Sequence, residues 1–421
     1  MATIDLQPAA SGFRAWYVLT MLTLAVIVSY IDRYVLAVLV QPIKADLGFS
    51  DTELGLLTGF AFSAIYAVFG IPIARLADRG RRRDVIAISL VVWSVMTAIC
   101  GAARSFTAFA FARFGVGAGE AGALPSSQAL IADLFPPQQR NTALAVLGSG
   151  GTIGLLTAFL IGGLIEARLG WRMTFVVVSA PGVVLALLIW LTIAEPGSGK
   201  AAAMTQPKSS MGLLRELLAD PLFRHIPLAQ ASLALLMFAQ TQWLPAFFER
   251  SFDLPRMQIG PTLAMTNGLA GIAGMVTGGL LADRLIRRGA VWPVRVAIGG
   301  VLLGAAPMLG LYLSTTPNRA FACSAMMGFC LAIPGGPLLA LVQSLVPREA
   351  RATAAAAIAM CAAFIGLGGG PLMIGMISDW LAPSLGAQSL RWGMLITVGL
   401  TLPWCLFHFS RVARLLSQRG G

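Results

Sequence analysis

The chain has 421 residues, of which 57% are hydrophobic and 11% charged, and its mean hydropathy is +0.80. A soluble globular chain carries about a quarter charged residues, so most of this surface does not face water, and a soluble enzyme or binding module is excluded. The net charge of +12 does not point to nucleic acid, because the arginines sit in short loops between apolar runs, as membrane orientation requires.

A membrane-crossing helix needs about 20 apolar residues. Twelve are expected in chain order, over roughly 16–43, 53–77, 84–103, 106–134, 139–166, 171–194, 222–249, 258–283, 290–314, 319–346, 352–381 and 389–411. Most exceed the minimum, which suits tilted helices. The N-terminus is polar and the first apolar run is too long for a cleavable signal, so that run is read as the first span. Cys100, Cys323, Cys330, Cys361 and Cys405 all fall inside apolar runs without metal-ligand spacing. They read as small buried hydrophobes, and no metal or resident cofactor is expected.

With an even number of spans both termini lie on one side. Of the lysines and arginines, 19 fall in loops on the terminus side, 8 on the other side, and Arg33, Arg75 and Arg113 lie within spans. The bias predicts cytoplasmic termini. The longest loop begins Pro-Gly-Ser-Gly-Lys after Glu195 and reads as a flexible linker; its end, Met211 to Leu218, is amphipathic enough to lie on a membrane surface. Three parts follow: a six-span bundle over 1–194, a linker over 195–220 and a second six-span bundle over 221–421.

The halves repeat. Ala74-Arg75-Leu76-Ala77-Asp78-Arg79 follows span 2, and Gly279-Leu280-Leu281-Ala282-Asp283-Arg284 follows span 8. Pro136, Arg140 and Thr142 after span 4 share their spacing with Pro347, Arg351 and Thr353 after span 10. Duplicated units of this kind build transporters whose two bundles rock about a central site.

Charge inside the hydrocarbon costs about 2.5–3.5 kcal/mol per residue at the span centre, so such residues are functional candidates. Asp32 and Arg33 stand about 24 Å, and Glu120 about 20 Å, from the terminus-side ends of spans 1 and 4, at 1.5 Å per residue. They therefore share a layer. A carboxylate and a guanidinium there suit proton coupling and the capture of an anionic head group. The alternative is a buried ion network that fixes helix packing. Asp32 and Arg33 point about 100° apart, so they cannot both face one partner. Arg113 lies two turns from Glu120 on the same face, either adding positive potential at the outer end of a cavity, or pairing spans 4 and 1, or snorkelling outward. Tyr30, Tyr34, Gln240, Gln242, Trp243 and Asn267 are the further cavity candidates. The glycines of spans 4 and 5 (Gly115, Gly117, Gly119, Gly148, Gly150, Gly151 and Gly154) read as sites of close helix approach. Pro334-Gly335-Gly336-Pro337 should break or kink span 10. His225 and His408, near the terminus-side span ends, read as interfacial rather than ligating.

The Leu-Ala-Asp-Arg loop at Leu76–Arg79, echoed at 281–284, resembles the signature loop of the major facilitator superfamily, except that Gly80 follows Arg79 directly. Ser29-Tyr30-Ile31-Asp32-Arg33-Tyr34, the stretch from Arg113 to Ala121, and Ile131-Ala132-Asp133-Leu134-Phe135 resemble its spinster-type lipid transporters. The organic anion:proton symporters share a similar Tyr-x-Asp-Arg and Arg…Gly…Glu, but the Gly-x-Gly-Glu-Ala run favours the spinster-like branch. The resemblance implies an all-α membrane fold of twelve helices in two pseudo-symmetric bundles, with spans 1 and 4 lining the central cavity. It implies a cytoplasmic gate at Asp78, Arg79, Arg82, Asp133, Asp283 and Arg284, in which Asp78 caps the start of span 11 and a loop arginine pairs with Asp133. The function expected is a proton-coupled transporter of an amphipathic lipid such as a lysophospholipid or sphingoid phosphate, monomeric and in a bacterial inner membrane. Symport of small organic anions and drug efflux are the alternatives. No nucleophile–base set or metal cluster supports an enzyme, and no polar filter supports a channel.

Overall fold

The computed structural model describes residues 12–78, 81–194, 219–289, 291–335, 337 and 351–419. The apolar runs within them are helical, because a backbone among apolar groups satisfies its N–H and C=O groups only by pairing them internally. In chain order the helices are α1 (Gly12–Leu47), α2 (51–78), α3 (Arg82–Ala102), α4 (106–134), α5 (137–169), α6 (171–192), α7 (Pro221–Phe252), α8 (256–285), α9 (Trp292–Tyr312), α10 (Pro317–Ala332), α11 (351–385) and α12 (Ser389–Arg419). They follow the expected spans one for one.

Several ends and one interior differ from expectation. Helices α1 and α12 run several residues past their apolar cores. The expected loop between spans 5 and 6 has shrunk to Gly170, whose φ of 78° and ψ of 165° break an otherwise continuous helical stretch. Only glycine adopts that conformation without strain. Span 4 is broken into Phe106–Glu120 and Ala123–Leu134 by a turn at Ala121 and Gly122. Pro125 has no N–H to offer the Ala121 carbonyl, and its ring crowds that carbonyl. By length and hydropathy, eight helical stretches among the described residues can cross a membrane. Two of these, Gln138–Thr192 and Ala357–Arg419, each hold two spans. Helix α4 fails the criterion because it is broken, and α10 because only its first part is described. That helix ends at Ala332 and turns at Ile333 and Pro334, consistent with the expected break; Gly336 lies outside the described residues, as do Arg79 and the linker over 195–218.

Packing divides the chain into two compact units. The first takes in residues 12–36 and 64–194 of the described chain; the second takes in 37–63 and the described residues from 219 on. In the first unit α1 meets α5 at glycines: a Cβ on Gly154 would lie 2.5 Å from the Ile27 carbonyl, and one on Gly151 would lie 2.9 Å from the Tyr30 ring. Helix α3 approaches α4 at Gly119 and α6 at Gly182 in the same way. In the second unit α8 meets α10 at Gly274 and Gly278, where a Cβ would come within 2.0 Å of a carbonyl oxygen. Small residues permit this backbone contact between membrane helices.

Among the described residues, three helices contain π-helical turns: Leu56–Phe60 in α2, Ala264–Gly268 in α8 and Ala362–Gly369 in α11. Each widened turn re-aims the following side chains, a feature frequent at functional sites. Those of α2 and α11 meet, since a Cβ on Gly59 would lie 2.5 Å from the Leu367 carbonyl oxygen. Cys100, Cys330 and Cys405 are buried and Cys323 and Cys361 half-buried, all as free thiols.

Candidate functional site

The charged residues of α1 and α4 meet inside the first unit. Arg33 Nη2 donates to Glu120 Oε2 at 2.6 Å, and Ser29 Oγ, one turn earlier on α1, donates to the same oxygen at 2.8 Å. Glu120 is almost wholly buried, and its Oε1 has no hydrogen-bond partner among the described residues. The carboxylate therefore sits at the end of the first segment of α4, one residue before the helix breaks.

Two tyrosines flank the cation. The Arg33 guanidinium carbon stands 5.0 Å from the Tyr30 ring centroid and 5.9 Å from that of Tyr66. Both distances fall within cation–π range. Tyr34 packs against Tyr30 at 6.0 Å and edge-on against Phe159 at 6.3 Å. Tyr66, on α2, carries no sequence signal beyond an aromatic in an apolar run, and sequence reasoning missed it.

Asp32 turns away from Arg33, as the helical geometry requires. It is fully buried and accepts from Thr97 Oγ1 at 3.3 Å, while its Oδ1 has no partner among the described residues. Arg113 is also fully buried, with Asp32 and Glu120 among its electrostatic neighbours. Arg113 lies two turns before Glu120 along α4, on the side of both carboxylates.

The candidates of the second unit are spread out and mostly occupied in packing. Trp243 Nε1 donates to the Pro371 carbonyl at 3.0 Å, and the Tyr312 hydroxyl donates to Gln240 Oε1. Gln242 is 1% exposed, and neither of its polar atoms finds a partner among the described residues. Asn267 is half-buried in the π-helical turn of α8. Of the gate residues, Arg82 pairs with Asp133, joining the start of α3 to the end of α4. Asp283 and Arg284 are exposed at the end of α8. Asp78 ends α2, but its side chain, like Arg79, lies outside what the structure describes.

The densest polar network of the second unit lies elsewhere and was not foreseen. Asp51, at the start of α2, accepts from Lys44 Nζ at 2.5 Å, from both terminal nitrogens of Arg250 at 2.6 Å, and from Ser378 Oγ at 2.7 Å. Asp379 on α11 accepts from the Asp51 and Thr52 N–H groups at 3.0 and 2.7 Å and from Thr52 Oγ1 at 2.6 Å. Arg250 Nε also donates to Gln41 Oε1 at 2.9 Å. His225 and His408 bring their Nδ1 atoms to 2.9 Å, joining α7 to α12.

With this geometry in view, comparison with known proteins assigns the chain. The sequence profile of the Major Facilitator Superfamily matches residues 22–371. An MFS-type efflux pump of Mycolicibacterium smegmatis is 36% identical over 390 residues, covering 91% of this chain and 89% of the relative. A probable L-galactonate transporter of Escherichia coli is 26% identical, covering 85% and 82%. The crystal structure of a bacterial homolog of the human lysosomal transporter Spinster, inward-facing and unoccupied, superposes with a TM-score of 0.87 at 27% identity, covering 98% of this chain and 99% of that one. The chain thus belongs to the Major Facilitator Superfamily, in its spinster-like branch, and is a multi-pass transporter of the bacterial inner membrane rather than an enzyme.

Proposed function

We propose that this transporter is proton-coupled and carries an amphipathic anion of the lysophospholipid or sphingoid-phosphate kind by alternating access. The observation that carries this reading is the buried Arg33–Glu120 ion pair at 2.6 Å. A guanidinium is a planar donor fork matched to carboxylate and phosphate. While Glu120 is ionised it occupies that fork. A proton on Glu120 removes the charge that holds Arg33, and the freed cation then binds the anionic head group. Proton and anion enter together, and each leaves when the other does. Tyr30 and Tyr66 keep the guanidinium in place in both conditions. Asp32 and Arg113 are two further buried groups of opposite charge that interact electrostatically beside the first pair, which supports a relay of protons through the α1–α4 layer. Arg82–Asp133, with Asp78, Arg79, Asp283 and Arg284, serves as the cytoplasmic gate. The arginine bias of the loops supports cytoplasmic termini, the halves 1–194 and 221–421 move about the linker, and the chain acts as a monomer.

A second reading is favoured by the names of the relatives. The L-galactonate transporter of Escherichia coli and the hexuronate transporter of Bacillus subtilis, the latter 24% identical across 91% of this chain, suggest small organic acids, which the same Arg33 fork would take. The efflux pump suggests outward movement. Proteoliposomes test these readings. Substrate-driven proton movement is measured with lysophospholipids, sphingosine phosphate, hexuronates and lipophilic cations in parallel. Lipid-driven flux that is lost in Glu120→Gln supports the proposal, and flux driven by hexuronate alone replaces it with organic anion symport. Lipid movement unaffected by Glu120→Gln, with no pH change, makes the ion pair structural.

A further inference from the structure

The chain has two histidines, 183 residues apart, and the fold brings them together. His225 stands in the second turn of α7 and His408 about three turns from the end of α12, both within the second unit. Their Nδ1 atoms are 2.9 Å apart and their ring centroids 5.1 Å apart. His408 is buried and His225 half-buried. The Phe407 ring packs edge-on against His225 at 6.2 Å and against His408 at 5.2 Å, and Trp404 packs edge-on against His408 at 5.9 Å. These neighbours hold the imidazoles with nitrogen facing nitrogen. The charges that reach His225 are Arg224 on α7 and Arg411 on α12, both cations. Asp220 at the start of α7 is engaged by Arg419, and Cys405, one turn before His408, lies beside Ser232. On α9, which packs against α12, Arg295 lies over the Trp292 ring at 5.1 Å. On α11, which packs against α7, the Arg351 side chain lies outside the described residues. Among the described residues, neither imidazole has a carboxylate partner.

A neutral imidazole carries one N–H and one bare nitrogen. At 2.9 Å one Nδ1 therefore donates a proton to the other, which is bare, and the two rings hold opposite tautomers. A first added proton goes to Nε2 of the donor ring. The bond survives and becomes charge-assisted. A second proton finds only the bare Nδ1. Two N–H groups then face each other on two cations, and the bond is lost. Two imidazole nitrogens also suit a metal ion, but the surrounding cations disfavour one, and no group of three His, Cys, Asp or Glu side chains forms among the described residues. We propose that His225 and His408 are a proton-counting latch between α7 and α12, closed with no added proton or one and parted by the second, so that acid on the terminus side loosens this end of the second unit. The parted rings take up two protons and the closed pair at most one, so falling pH favours parting. The window is about pH 7.5 to 5, around the ordinary imidazole value of about 6.5. The Asp220–Arg419 contact joins the same two helices and stays charged over that window, so the opening remains local. The latch depends on neither the substrate nor the Arg33–Glu120 pair.

Nitrogen NMR on the full-length transporter in liposomes, with isotope-labelled histidine and no polyhistidine tag, reads these two residues alone. At about pH 8 one Nδ1 should be protonated and the other bare; the same tautomer in both rings overturns the proposal. Hydrogen exchange with mass spectrometry, corrected for the intrinsic pH dependence of amide exchange, reads the parting. Protection over 222–229 and 405–412 should fall about ten-fold between about pH 7.5 and 5, the order expected when a charge-assisted hydrogen bond gives way to like charges. His408→Asn keeps a hydrogen-bonding amide near the Nδ1 position but takes no proton, and its protection should stay flat over the same range. A parallel fall in wild type and His408→Asn, or wild-type protection that does not fall, overturns the proposal. The NMR measurement needs no variant, so a failure of His408→Asn to fold leaves the proposal open to refutation.

Discussion

Ser29 and Arg33, one turn apart on α1, both donate to Glu120 Oε2, leaving Oε1 without a hydrogen-bond partner among the described residues. One carboxylate oxygen is held and the other is available to a proton. Glu120→Gln should therefore retain substrate exchange across the membrane while losing proton-driven accumulation by about ten-fold or more, one decade being 1.4 kcal/mol. Counterflow and pH-gradient-driven uptake, measured side by side, check this; equal loss of both would place Glu120 in binding rather than coupling.

Removing either member of the Arg33–Glu120 pair alone should destabilise the chain. Arg33→Ala leaves a buried carboxylate without its partner, a change that typically costs about 3–5 kcal/mol. The variant should melt at lower temperature than wild type. Arg33→Ala/Glu120→Ala should recover part of that stability without recovering transport, as a double-mutant cycle in thermal melts would show.

Tyr66 should tune affinity through the face of its ring. A cation–π contact contributes about 0.5–2 kcal/mol, so Tyr66→Leu should raise the KM for an anionic substrate by roughly two- to thirty-fold, whereas Tyr66→Phe, which keeps the ring, should stay close to wild type. A defect in Tyr66→Phe equal to that in Tyr66→Leu would assign the role to the hydroxyl instead.

At the terminus end, Asp220 accepts from Leu222 N–H at 2.9 Å and from Arg419 at 2.5 Å, capping α7 and tying it to the end of α12. Partial burial opposes ionisation of Asp220, but the hydrogen bonds from Arg419 and the Leu222 backbone outweigh it and hold the carboxyl below its ordinary value. The group binds fewer protons folded than unfolded, so its contribution is complete above about pH 4 and disappears as pH falls through the lowered value. Asp220→Asn should lower the melting temperature slightly at pH 7 and leave it unchanged near pH 2; melts across that range decide it.

The sequence exposes some of this far better than the rest. Asp32, Arg33, Arg113 and Glu120 are legible because a charge within an apolar run is anomalous wherever the helices pack. The twelve spans are legible for the complementary reason, since hydrophobic length is a one-dimensional property. Asp51, Arg250 and Asp379 carry no such mark: charges at span ends are ordinary, and only the fold brings residues about 200 and 330 positions apart together. Tyr66 looks like any core aromatic until Arg33 is beside it. The break after Glu120 was present in the sequence as Pro125, but an apolar run with one proline also describes a merely kinked helix. Gln240 and Trp243 attract notice for polarity and size, yet Tyr312 and Pro371 claim them.

The glycine contact between α1 and α5 has a mechanical consequence. Gly150, Gly151 and Gly154 give α1 a smooth track where the Tyr30 ring and the Ile27 backbone rest. Interlocked side chains act as gear teeth, and a helix moving past them must lift each one through a rotamer change. A track without teeth behaves as a bearing, on which α1 can carry Arg33 a short way with little friction. Gly154→Ala, whose methyl would lie 2.6 Å from the Tyr30 Cβ, adds one tooth to that bearing.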